Sequence, residues 1–231
     1  MSHLWSGSRE PDEPDPDAEG FVLAGGQSSR MGRDKAFVDL GGRPLIDHAL
    51  GMLREAGLAA SIAGGCSSLA AYAPLIKEAR SDLGPLSGVC VALAAASRDW
   101  VVFVPIDLPL LPASLITGLL QHAKTTGMAV TVPSINGFLQ TFPAVVKRDV
   151  LHVLQQELEA GRSGCFASFE AVAIRREEPL SVVPVEMLVQ AGRIAHPGAT
   201  RGALPATRWF LNVNSERDLH RAEAWLGTPI K

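Results

Sequence analysis

Cysteine is scarce. There are three in 231 residues, Cys66, Cys90 and Cys165, far apart and with no CxxC pair. This excludes a disulfide framework and a thiolate zinc site, and it points to a reducing compartment, the cytoplasm. The six histidines lack HExxH or any comparable ligand spacing, so no histidine metal centre or acid–base relay is expected. Positive charge is not in excess either: the net charge of −3 offers no basic field to a nucleic acid. Apolar stretches are strand-length and broken by proline or charge, so no transmembrane helix is expected. The opening "MSHLWSGSREPDEPDPDAEG" has no apolar core of the kind a signal peptide carries. It is acidic and proline-rich, and residues 1–19 are read as a disordered leader before a single domain at 20–231.

What is present is an ordinary core-forming composition, 47% hydrophobic and 19% charged. After the leader there is neither repeat nor low-complexity tract, and short β-rich runs alternate with helical patterns. Strands are expected at 20–24, 60–64, 100–107, 128–135 and 141–147, and a short one opens the tail at 209. The run "WVVFVPID" at 100–107 is apolar on both faces, as a central parallel strand should be. Helices are expected at 44–57, opened by Pro44 and closed by Gly57, at 85–97, from Pro112 to Gly127, and at 148–161. A further helix follows Ser215, with Glu216 and Asp218 in its first turn favouring the helix dipole. Residues 186–207 show no clean periodicity and read as a long loop. This rhythm predicts a three-layer α/β/α sandwich around a mostly parallel sheet, whose ligands bind beyond the carboxyl ends of the strands. The loops after residues 24 and 105 then share one edge.

The first of these loops is "LAGGQSSRMGRDKA". Gly25 and Gly26 carry no Cβ, so backbone N–H groups can face an anion closely, while Arg30 and Lys35 supply the charge a triphosphate needs. The spacing fits neither GxGxxG nor GxxxxGK[ST]. Read by itself, the loop is equally a glycine turn with solvated charge. Asp107 ends the central strand before "LPLLP", a natural place for a hard cation, or for an aspartate satisfying backbone donors in a proline-rich turn. Asp82, in "SDLGPLSG", would contact a ribose or base, or act at a helix cap.

In order and approximate spacing, "LAGGQSSRMGRDKA", "SDLGPLSG", "VPIDLPLLP" and "FLNVNSERDL" resemble the MobA-like nucleotidyltransferases, and among them the molybdenum cofactor guanylyltransferases. The resemblance covers nearly everything after residue 20. It implies a Rossmann-like sheet of the nucleotide-diphospho-sugar transferase type. It also implies Mg2+-dependent transfer of GMP from GTP to the phosphate of molybdopterin, with release of pyrophosphate. The product would pass to molybdoenzymes or to other proteins of cofactor biosynthesis. Carried over by motif, Leu23, Ala24, Gly25 and Gly26 lie against the nucleotide, and Arg30 and Lys35 act catalytically on its phosphates. Asp82 contacts the nucleoside, and Asp107 holds the metal and takes part in catalysis. Asn212 and Asn214 match a late motif on the acceptor side, although a turn before a helix accounts for them equally well.

Guanylyl members resemble "LAGG" and cytidylyl relatives "LAAG", so Gly26 favours GTP. The family's asparagine after the second strand is missing; "SIAGGCSS" stands there. The loop at 186–207 is longer than usual, and its Arg193, His196 and Arg201 read as a solvated basic loop rather than acceptor contacts. The alternatives are a CTP-using molybdopterin cytidylyltransferase, a relative with another small phosphorylated acceptor, and a nucleotide-binding regulator without turnover.

Overall fold

The computed structural model describes residues 14–25, 34–77, 84–192, 194 and 204–227. Strand β1 (Ala18–Leu23) alternates its side chains between two cores. A small antiparallel ribbon, β2 (Asp39–Leu40) with β3 (Arg43–Pro44), leads into helix α1 (Leu45–Glu55). Pro44 is the residue before this helix, not its first, and Gly57 follows its end with φ of 77°. Strands β4 (Ala59–Ala63) and β5 (Leu75–Ile76) precede α2 (Pro85–Ala95), with Pro85 at the favoured first position. Strand β6 (Trp100–Pro105), helix α3 (Ala113–Thr126) and β7 (Val130–Ile135) follow, and left-handed Gly127 ends α3 as expected. Asn136 and Gly137, with φ of 51° and 77°, make the tight turn into β8 (Phe138–Leu139). Then come β9 (Ala144–Lys147), α4 (Leu151–Glu159), α5 (Cys165–Arg175), β10 (Ser181–Pro184), α6 (Val185–Gln190), α7 (Ala206–Trp209) and α8 (Glu216–Gly227).

Among the described residues the main sheet has eight strands in the order β10-β7-β9-β6-β1-β4-β5, with β8 paired to β7. Strands β6, β1, β4 and β5 are parallel, as are β10 and β7, while β9 runs antiparallel between β7 and β6. The sheet is thus mostly parallel, with β9 reversed in the middle and β8 reversed beside β7. Val102 and Val104 of β6 face a core shared with α1, α3 and α8; Val101 and Phe103 face one shared with α2, α4 and α5. Phe103 stacks on Phe21 of β1 at 6.3 Å between ring centroids. Helices on both faces of a sheet give the expected three-layer α/β/α sandwich.

Four expectations need correction. Residues read as the end of a disordered leader are structured: β1 starts at Ala18, and Asp15 is buried. The Asp15 N–H donates to the Gly57 carbonyl at 2.8 Å, and its carboxylate accepts from Lys124 Nζ at 2.8 and 2.9 Å. Residues 1–13 lie outside the described residues. At the tail, Trp209 ends α7 and residues 210–215 form no strand. In their "NVN", Val213 is buried between exposed Asn212 and Asn214, but among the described residues no ladder partner pairs with it. The expected loop at 186–207 holds α6 and the start of α7 at its two ends. Helix α5 and strand β10 fall in a stretch for which no element was expected, although Cys165, Phe169, Val172 and Ala173 of α5 have helical spacing and are all buried.

The three cysteines are free, Cys90 and Cys165 buried and Cys66 half-buried. Burial pushes the Cys90 thiol up to about 11 and the Cys165 thiol up to about 12. Thiols so disfavoured as thiolates are packing residues. Among the described residues no helix is long and apolar enough to cross a membrane.

Candidate active site

Parallel pairing puts the carboxyl ends of β1, β4, β5 and β6 on one edge. Leu23 lies beside Pro105 and Ala63, and Ala63 beside Ile76. The exits are stitched together as well: Ala24 N–H donates to the Ala63 carbonyl at 3.0 Å and Ile106 N–H to that of Leu23 at 3.2 Å. The loops after residues 24 and 105 therefore leave the same edge, as the sheet rule requires. Leu23 is buried, Ala24 half-buried and Gly25 exposed, so the chain emerges to solvent across these three residues. Gly26, Arg30 and Asp82 lie outside the described residues, as do Arg193, His196 and Arg201.

The loop returns at Asp34, whose carboxylate accepts from Ala36 N–H at 3.0 Å and caps a single 3-10 turn, Lys35–Phe37. That turn carries Ala36 into the core and sends Lys35 back over the sheet edge. Lys35 Nζ lies 3.1 Å from Asp107 Oδ2 and donates to Asn214 Oδ1 at 2.5 Å. Both ends of the ion pair are partly sheltered, with side-chain exposures of 15% for Lys35 and 25% for Asp107. The carbonyl of Asp107 accepts from Val213 N–H at 2.9 Å. In the amide orientation that satisfies its neighbours, Asn212 donates its side-chain nitrogen to the two Asp107 oxygens at 3.2 and 3.3 Å. Four residues nominated from three distant motifs, Lys35, Asp107, Asn212 and Asn214, thus meet in one cluster.

Behind Asn214 the last helix is firmly started. Asp218 N–H donates to Ser215 Oγ at 3.3 Å, and the Asp218 carboxylate accepts from Ser215 Oγ at 2.7 Å and Asn214 N–H at 3.2 Å. The hydroxyl of Ser215, followed by the neighbouring backbone N–H groups, holds the Asp218 carboxyl below its ordinary value.

Two further contacts shape the rim without a cue in the sequence reading. Gly65, with φ of 87°, stands just after β4, and a Cβ there would lie 3.3 Å from both the Cβ and the carbonyl oxygen of Ala24. Such a position suits glycine, and it lets the turn after β4 close tightly on the exit of β1. Ser163, between α4 and α5, packs where a Cβ on Gly84 would sit, 3.0 Å away, so that connection abuts the start of α2. Positive φ cannot be read from composition, and the Ser163 contact links residues 79 apart in the chain.

Chemically the cluster offers a cation, a carboxylate and two amides. Among the described residues it holds no histidine: His48 bonds to the Leu40 carbonyl, His122 to Ser181, His152 to the Asp149 carbonyl and His220 to that of Glu216. Among the described residues no group of three or more His, Cys, Asp or Glu side chains is placed to hold a metal ion. A carboxylate and a lysine at the mouth of a parallel sheet suit a phosphate chain with its counter-ion.

Comparison with known proteins agrees. Residues 20–178 match the MobA-like NTP transferase domain family. A molybdenum cofactor guanylyltransferase of Pseudomonas putida is 40% identical over 148 residues, 61% of this chain and 76% of the relative. One from Xanthomonas euvesicatoria is 45% identical over 145 residues, 62% of this chain and 74% of the relative. In fold, the chain resembles molybdopterin-guanine dinucleotide biosynthesis protein A from Archaeoglobus fulgidus (TM-score 0.69, 20% identity, covering 89% of this chain and 96% of the other). It also resembles a Methanothermobacter nucleotidyl transferase (TM-score 0.67, 16% identity, covering 92% and 99%). With the match spanning the sheet edge, Lys35 and Asp107, this chain belongs to the MobA-like NTP transferase family of nucleotidyltransferases.

Proposed function

We propose that this protein transfers the guanylyl group of GTP to the terminal phosphate of molybdopterin in its molybdenum cofactor form, in the cytoplasm and with Mg2+. The observation that carries the reading is the contact of Lys35 with Asp107 at the sheet edge, in a chain whose relatives are named molybdenum cofactor guanylyltransferases. Leu23, Ala24, Gly25 and Gly26 line the nucleotide side, with Asp82 on the nucleoside, and Arg30 and Lys35 meet the triphosphate. Asn212 and Asn214 serve the acceptor side.

Asp107 fits the metal's needs. Mg2+ retains waters and is held by one or two carboxylates together with substrate phosphates, so a single partly open carboxylate suits it better as a partner of bound nucleotide than as a resident ion. When bound, the ion neutralises charge on the reacting phosphates. In the reaction an oxygen of the acceptor phosphate attacks the α-phosphorus of GTP, the bond to the β-phosphate breaks, and pyrophosphate leaves. A phosphate monoester, with a second pKa of about 6, is already anionic at neutral pH, so the lack of a histidine base costs nothing. The work left to the protein is alignment and charge stabilisation, to which Lys35 contributes directly.

Pyrophosphate release, measured with Mg2+ and molybdenum cofactor against each nucleoside triphosphate, tests the donor. Release with GTP alone is expected. Equal release with CTP overturns the guanine assignment, a choice sharpened by the glycine pair Gly64–Gly65 standing where the family's asparagine is absent. Nucleotide binding without pyrophosphate release under any combination favours a regulator instead.

A further inference from the structure

The two asparagines of "NVN" do more than face an acceptor. We propose that Asn214, assisted by Asn212, is a positioning residue for the nucleotide half of the site, an inference that rests on the nucleotidyl-transfer reading above. Asn214 Oδ1 accepts from Lys35 Nζ at 2.5 Å across 179 residues of chain, and Lys35 reaches Asp107 at 3.1 Å in the same pose. Asn212 donates to both Asp107 oxygens at 3.2 and 3.3 Å. Each asparagine thus grips one member of the ion pair. The segment itself is fixed by Val213, wholly buried, whose N–H bonds the Asp107 carbonyl at 2.9 Å. With Val213 seated in the core, the amides on either side of it both reach the pair.

The choice of amide matters. A lysine ammonium on its four-carbon stem is mobile and strongly hydrated. An amide oxygen orders it while leaving its charge intact, whereas a carboxylate would add a second negative partner and compete with phosphate. Ordering a rotamer-rich side chain in advance removes a cost otherwise met on binding, worth about tenfold in affinity. The late motif therefore couples the two halves of the site: the segment assigned to the acceptor also holds Lys35 where the donor's phosphates arrive.

Calorimetry of GTP with Mg2+ and without any acceptor, on the wild type, Asn214→Ala, Lys35→Met and the double variant, tests this. Asn214→Ala is expected to weaken GTP about tenfold, and the double variant to bind no more weakly than Lys35→Met alone, because the amide acts through the lysine. Asn214 is exposed, so thermal unfolding should be unchanged, and Asn214→Ser replaces the alanine variant if it is not. Unaltered GTP affinity in the folded Asn214 variant, or losses that simply add in the double variant, overturns the positioning role and leaves the asparagine to the acceptor. A wild type that binds no nucleoside triphosphate overturns the underlying reading, and the positioning role with it.

Discussion

At Asp107 three structural duties meet in one residue. Its carbonyl anchors Val213, its carboxylate balances Lys35, and the same carboxylate accepts from Asn212. Removing only the charge separates these duties, because Asp107→Asn keeps the backbone bond and the side chain's size. The variant is expected to fold cooperatively, because the side chain keeps its size and the Asp107 carbonyl keeps its bond to Val213. Its turnover in pyrophosphate release should fall by about 10²–10³, the scale of losing one electrostatic contact to a transition state. Undiminished turnover in the folded variant would remove Asp107 from the chemistry. The residue types were legible in sequence because each chemistry has a small vocabulary: glycines for close approach, lysine for phosphate, aspartate for a hard cation. Their mutual contacts were not, since Lys35 finds its partners 72 and 179 positions away. No local pattern records such distances.

Elements follow the same division between local and distant causes. Strand β6 was plain because burial on both faces writes an unbroken apolar run, and α3 because proline and glycine mark its two ends. The "NVN" segment alternates like a strand, yet a strand needs a ladder, and here the chain finds one anchoring carbonyl at Asp107. The place of Asp15 was hidden for the opposite reason: acidic, proline-rich composition masks a residue that Lys124 and the turn after α1 hold from afar. Helix α8 matters to function because its cap stands directly behind Asn214. Ser215→Ala removes the cap hydroxyl and is expected to cost about 1 kcal/mol in a chemical-denaturation measurement at neutral pH. The folded Asp218 carboxyl lies below its unfolded value, so the stability it adds is present above the unfolded pKa and is lost as pH falls through the folded one. The penalty of Ser215→Ala should therefore shrink under acid, and a penalty that grows on acidification would contradict this account of the cap.

Over the whole molecule, architecture and chemistry are separable. The sandwich brings four strand exits to one edge, and that edge is common to many nucleotide-binding α/β proteins. The site is completed by the late segment, which seats Val213 on the Asp107 carbonyl, so that a motif from the far end closes a site begun by the first strand. The antiparallel β9 beside β6 and the tight Asn136–Gly137 hairpin carry the chain across the sheet before α4 and α5, and the tail returns only afterwards. This one edge therefore serves transfer between two substrates, not nucleotide binding alone. The most direct measurement follows GTP labelled at its α-phosphate when the protein is mixed with Mg2+ and molybdenum cofactor. Label is expected to move from GTP into the cofactor in step with pyrophosphate release, and about 10²–10³ more slowly with Asp107→Asn. Label that stays in GTP or is lost to water as GMP, while the wild-type protein is folded and binds nucleotide, would contradict it.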